Sequence, residues 1–164
     1  IDSSTLTMPL LGSVNGQVSL VNGNTIVFNP NPHFAGEAAF DYAVSDGVLT
    51  DVGRVVITFT PVNDPPSAGP DSAQTQKNMK LTLQAATLLA NDSDPDAGTT
   101  LTITGVNAAS LRGGTVKLEG NEVIFDPEPS FTGSDEFTYT VSDGTLTASG
   151  TVTVQVVPQE TPTQ

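Results

Sequence analysis

The stretch FNPNPHFAGEAAFDYAVSDG, residues 28–47, returns without a gap as FDPEPSFTGSDEFTYTVSDG, residues 125–144. A repeat of this length means tandem modules and marks the chain as a segment of a longer array. Beads of an array owe their function to the joints between them or to one shared face, and catalytic pockets are uncommon there.

The second copy is the fuller one, and alternation lays out its strands. Leu101 and Ile103, Val116 and Leu118, Val123 and Phe125, Phe137, Tyr139 and Val141, then Val152, Val154 and Val156 recur at spacing two. That is the period of a strand that buries one face and wets the other. Residues 72–76 and 80–83 supply a split first strand and 85–90 a short helical turn, so seven strands in about 90 residues predict an all-β, antiparallel β-sandwich. Gly113-Gly114, Gly120-Asn121 and Asp143-Gly144 supply residues that tolerate positive φ where hairpins reverse.

The first copy follows the same order but starts late. Residues 3–8 line up with 98–103, so its N-terminal strand and acidic loop are missing. The edge this leaves is expected to be covered by another chain or frayed. The sequence thus divides into a partial module 1–61, a linker 62–66, a complete module 67–158 and a tail 159–164. Three prolines in Pro61-Val62-Asn63-Asp64-Pro65-Pro66 make the linker short and partly stiff.

Five Lys and Arg against 18 Asp and Glu leave a formal charge of -13. This is the wrong sign for nucleic acid or anionic lipid, and no apolar run approaches a membrane span. An acidic chain of this kind is either simply soluble or gathers carboxylates around a hard cation such as Ca2+. The absence of Cys removes disulfides, thiolate metal sites and cysteine nucleophiles. No signal peptide opens the chain, so a targeting segment would lie outside this stretch.

The sharpest local signal is Asn91-Asp92-Ser93-Asp94-Pro95-Asp96-Ala97-Gly98, with carboxylates at every second position and a glycine to close the turn. Alternate spacing lets a tight loop aim several oxygens at one centre, as Ca2+ requires. The loop is not an EF-hand: no glutamate stands at the twelfth position and Pro95 breaks that context. Asp-rich loops are also good turn chemistry, so spacing alone leaves a cation site and a solvated turn equally open.

The order of linker Pro-Val-Asn-Asp-Pro-Pro, loop Asn-Asp-Ser-Asp-Pro-Asp-Ala-Gly and late strand Tyr-Thr-Val-Ser-Asp-Gly resembles cadherin repeats. The likeness is to the cadherin-like tandem modules of large bacterial surface proteins and RTX-type adhesins, and it covers nearly the whole chain. It implies two tandem immunoglobulin-like, cadherin-type sandwiches with Ca2+ held between modules. It further implies ligands at Asn63 and Asp64 in the linker, Asp92, Asp94 and Asp96 in the loop, Asp143 in the last turn, and Glu37 of the preceding module. The linker has fewer acids than cadherin linkers, which implies one or two Ca2+ ions rather than three. Physics supports a cation independently, since unit charges 4 Å apart repel by about 4 kcal/mol at an effective dielectric near 20.

Other residues read as structural. Tyr139, four residues after Asp135, has the spacing of a tyrosine corner, and Tyr42 repeats it without the Asp. His33, in a Pro-rich loop, reads as solvated, and with no second histidine, cysteine or Gly-x-Ser-x-Gly elbow no enzyme is expected. The resemblance implies secreted or cell-surface extender modules of an adhesin, partnered by neighbouring repeat modules. Polysaccharide or cell-surface glycan binding is the alternative, weakened by the absence of Trp. Homophilic contact by strand addition at the incomplete edge is another.

Overall fold

Period-two alternation becomes strands throughout the computed structural model, which describes residues 10–23 and 25–159. The chain divides into two units, Ile1–Val62 and Asn63–Gln164. In the first, β1 (Leu10–Val14), β2 (Gly16–Val21), β3 (Thr25–Pro30), β4 (Gly36–Ser45) and β5 (Thr50–Phe59) form two sheets. One has the order β1-β4-β5 and the other is the pair β2-β3. In the second unit come β6 (Pro70–Gln76), β7 (Leu81–Gln84), the one-turn helix α1 (Ala85–Leu88), β8 (Thr102–Val106) and β9 (Thr115–Glu119). They are followed by β10 (Glu122–Asp126), β11 (Gly133–Ser142) and β12 (Thr147–Val157). The sheets here are β7-β10-β9 and β6-β12-β11-β8, facing each other as an all-β sandwich.

The repeat is visible strand by strand: β11 and β12 pair over their whole length as β4 and β5 do. Among the described residues, β1 to β5 match β8 to β12, while β6, β7 and α1 have no counterpart in the first unit. The split first strand is split between sheets, because β6 lies parallel to β12 and β7 lies antiparallel to β10. The expectation about the first module's open edge falls on residues 5–8, outside those described.

The second unit's core is the inward row the alternation selects. Val152 and Val154 are 0% exposed and Val156 1% exposed, joined by Val123, Phe125, Phe137, Tyr139 and Val141. Phe125 and Phe137 stack at 5.7 Å. Each such side chain contributes about 1.5–3 kcal/mol by leaving water. Their equivalents on β5, Val55, Ile57 and Phe59, are only partly buried, because β12 is flanked on both sides by strands and, among the described residues, β5 on one. The first unit instead relies on an aromatic cluster, with Phe28 stacked 6.1 Å from both Phe40 and Phe59.

Two glycines carry the Tyr positions. A Cβ on Gly150 would lie 2.2 Å from the Tyr139 ring, and one on Gly53 would lie 2.4 Å from that of Tyr42. Each tyrosine therefore lies flat across the neighbouring strand, a close approach only glycine permits. His33 and Ser130, equivalent in the repeat, share a positive φ of 55° and 66°.

Candidate functional site

The acidic loop begins where α1 ends. One further turn of 3-10 helix, Leu89–Asn91, delivers the chain into Asp92, and Asn91 fastens it by donating from Nδ2 to the Pro70 carbonyl at 2.9 Å. The loop is then stitched to the segment after the linker. Ser67 and Ser93 exchange backbone hydrogen bonds of 2.8 and 2.9 Å, and the Gly69 N–H donates to Asp92 Oδ1 at 2.8 Å.

The linker residues that open the second unit join the same network. The Asp64 N–H donates to Asp96 Oδ2 at 2.8 Å, and the Asp96 N–H donates to Asp94 Oδ1 at 2.8 Å. Asn63 Nδ2 donates to Asp143 Oδ2 at 2.8 Å. Asn63, Asp64, Asp92, Asp94, Asp96 and Asp143 thus lie at one end of one unit. Glu37 belongs to the first unit, exposed on β4 opposite Thr58 of β5.

Asp92, Asp94 and Asp96 line a depression of about 520 Å³ together with Ser93, Gly98 and Thr99. Most of their oxygens have hydrogen-bond donors, but Asp94 Oδ2 is buried without a partner. A buried, partnerless carboxylate oxygen is costly and calls for an ion or water. The loop is not a finished cage, because among the described residues no three His, Asp or Glu side chains converge closely enough to hold a metal. The donor set nonetheless suits a hard cation: three carboxylates line one depression, no thiolate stands among them, and one carboxylate oxygen is without a partner.

Asp143 holds its turn as well as Asn63. Its Oδ1 accepts from the N–H groups of Thr145 and Leu146, both at 2.6 Å. The Asn63 amide, then the Leu146 and Thr145 N–H groups, hold its carboxyl below the usual range. Asp46 makes the same turn in the first unit, accepting from Val48 and Leu49 at 2.9 and 2.7 Å. Its carboxyl is lowered by the Leu49 and Val48 N–H groups in turn.

One residue at this end, Asp71, was not singled out by sequence. The Tyr139 hydroxyl lies 3.0 Å from Asp71 Oδ2 and 3.1 Å from each oxygen of Asp92. It lies 3.5 Å from the Leu88 carbonyl. One hydroxyl proton serves one carboxylate at a time, so Asp71 and Asp92 compete for it. Burial pushes the Asp71 carboxyl up, the Tyr139 hydrogen bond pulls it down, and the charge of Asp92 raises it again. Burial also pushes the Tyr139 phenol far above its ordinary value, reinforced by the hydrogen bond to Asp71 and the charges of Asp71 and Asp92. Tyr139 is a structural anchor, but its hydroxyl reaches these acids and not Asp135. Asp135, 1% exposed, turns inward and accepts from Ser110 Oγ at 2.6 Å, from the Arg112 N–H at 2.8 Å and from the Glu136 N–H at 2.7 Å.

Residues 62–157 match the cadherin-like domain family, and residues 1–58 match a bacterial Ig domain. The chain belongs to the cadherin-like domain family. No curated protein matches it significantly. Among solved structures it is similar to Drosophila N-cadherin EC1-4, with 16% identity, TM-score 0.53, and coverage of 97% of this chain and 44% of that one. It is also similar to human protocadherin-24 EC1-2, with 13% identity, TM-score 0.50, and coverage of 96% and 84%. An endo-fucoidan hydrolase of glycoside hydrolase family 107 aligns at 22% identity and TM-score 0.40; this chain covers 24% of its length. At these identities the likeness is one of fold. Cadherin-like domains are non-catalytic modules and, like bacterial Ig domains, usually extracellular. Among the described residues no helix is long and apolar enough to cross a membrane.

Proposed function

We propose that the chain is a pair of extender modules from an extracellular, adhesin-type protein, in which Ca2+ bound at the acidic end of the second unit stiffens the linker. The observation that carries this reading is the partnerless, buried Asp94 Oδ2 in a depression that Asp92 and Asp96 also line. Asp92, Asp94 and Asp96 would hold the ion. Asn63, Asp64 and Asp143 would complete the site through the hydrogen bonds that already tie the linker to the loop and the last turn. When bound, the ion supplies positive charge that offsets the mutual repulsion of these carboxylates. The chain's own residues do the rest: Gly69 orients Asp92, the Asp96 N–H orients Asp94, and the linker prolines limit the conformations to be frozen. Polysaccharide binding has no comparable support, since Phe28, Phe34, Phe40, Phe59 and Tyr42 pack on one another.

The test is a calorimetric titration of the metal-stripped chain with Ca2+, paired with thermal unfolding before and after chelation. Saturable heat is expected, with a dissociation constant between about 0.1 and 1 mM as in extracellular modules, together with a higher melting temperature in Ca2+. No heat and a melting temperature indifferent to chelator overturn the reading. Glu37→Gln, in the first unit, measures whether that side chain contributes.

A further inference from the structure

In an antiparallel sheet with one wet face, the outward residues are expected to be polar. The second unit obeys this: the outward cross-strand pairs of β11 and β12 are Glu136–Thr153, Thr138–Thr151 and Thr140–Ser149. The same three positions of the repeat, on β4 and β5, are Ala39–Val56, Asp41–Arg54 and Ala43–Val52, in which the alanines are buried and the valines accessible. β1 extends the face by placing Val14 beside Ala39 and Gly12 beside Asp41. Val14, Val52 and Val56 are 53%, 61% and 55% exposed. A fold that carries threonine, serine and glutamate here in one copy carries valine and alanine in the other, so the apolar character is not a requirement of the sandwich. Apolar patches of this kind on a sheet face mark contact surfaces.

The charge on this face identifies the occupant. Arg54 is the only Lys or Arg among residues 1–62, and it lies 3.7 Å from Asp41 in the middle of the face, both side chains remaining accessible. The centre of the face is therefore locally neutral in a chain of net charge -13, while Glu37 adds an acid at one end of the outward row, opposite Thr58. Two copies of so acidic a chain repel each other over most approaches. A neutral, apolar patch containing one acid and one base is self-complementary about a two-fold axis, because Asp41 of each copy can meet Arg54 of the other.

We propose that the outer face of the β1-β4-β5 sheet is the contact surface between two copies of this chain, arranged as a two-fold dimer with Asp41 and Arg54 crossing at its centre. The contact involves no cation and does not rest on the Ca2+ reading, so it is expected equally in Ca2+ and in chelator. Sedimentation velocity over a concentration series reaching the millimolar range tests it on the intact chain. The wild type is expected to dimerise reversibly. Val52→Ser with Val56→Thr, which installs the residues the second unit already carries, should raise the dissociation constant about tenfold or more, since four apolar side chains leave the dimer.

Arg54→Asp alone and Asp41→Arg alone should each sediment as monomers, because each places like charges against like across the axis. An equimolar mixture of these two variants should recover heterodimers, which a pair acting only within one chain cannot produce. Circular dichroism and thermal unfolding of each variant establish that it is folded before it is scored. A wild type that stays monomeric throughout overturns the proposal and leaves the face to a different protein. It is equally overturned if the valine replacements leave the dimer unchanged, or if the folded charge variants fail to associate on mixing.

Discussion

Asp94→Asn should change sign with calcium. The substitution keeps the Oδ1 acceptor used by the Asp96 N–H at 2.8 Å and removes a carboxylate whose other oxygen is buried without a partner. Without metal the variant is relieved of that oxygen's charge, a gain of about 1 kcal/mol, which raises the second unit's melting temperature by roughly 4–8 °C. With Ca2+ at a hundred times the wild-type dissociation constant, the wild type gains about 2.7 kcal/mol. A unit charge close to the ion is worth about 4 kcal/mol at an effective dielectric near 20, so a hundredfold loss of affinity is a conservative expectation. The variant then gains only about 0.4 kcal/mol from the same Ca2+. Calorimetric unfolding of both proteins with chelator and with Ca2+ should therefore show the variant above the wild type in the first condition and below it in the second. An Asp94→Asn protein less stable than wild type in chelator, or stabilised by Ca2+ to the same degree, refutes the reasoning.

Asp135→Ala should cost about 3 kcal/mol, lowering the second unit's melting temperature by roughly 15 °C, because Ser110 Oγ and the Arg112 and Glu136 N–H groups lose a buried charged acceptor; Asp135→Asn, which retains Oδ1, should cost clearly less. Gly150→Ala should cost about 3 kcal/mol or more in urea unfolding, since its Cβ would lie 2.2 Å from the Tyr139 ring, and tyrosine fluorescence should report the displaced ring. The Asp46 carboxyl is lowered by its turn N–H groups, so its contribution to the first unit is complete above the ordinary carboxylate range and lost as pH falls through the lower folded value; the difference in urea midpoint between wild type and Asp46→Ala should be flat near neutrality and vanish in acid.

The sandwich was legible because its signal is local. Period-two alternation located the inward rows of β8 to β12, and the repeat carried that reading into the first unit, where alternation is interrupted by Gly and Ala. The helical turn at 85–90 was legible for the same reason, although it divides into α1 and a 3-10 turn. The acidic loop was visible as a cluster, but what its members do was not. The Tyr139 contacts to Asp71 and Asp92 join residues 68 and 47 positions apart, a separation at which spacing carries no information. Asp135 could have been found, since it shares the parity of Phe137, Tyr139 and Val141 and an acid in an inward row must be satisfied internally. The same parity places Val52 and Val56 outward.

Comparing the copies also separates the acids that maintain the sandwich from those that do something else. Asp143 takes two turn N–H groups, and Asp46 takes the same two in the first unit, so that carboxylate is accounted for by the Ser-Asp-Gly turn whether or not a ligand binds. Its bond from Asn63 comes on top of these. Asp135 is likewise explained by the loop it clamps, and its equivalent Ala38 shows that the hairpin itself does not need it. After these are set aside, the acids whose charge the fold leaves unexplained are Asp94, with one oxygen unsatisfied, and Asp71 with Asp92, which share a single hydroxyl proton. A carboxylate held in such surroundings without a counter-charge costs stability. A cation bound at this end of the module, as proposed above, would supply the missing counter-charge.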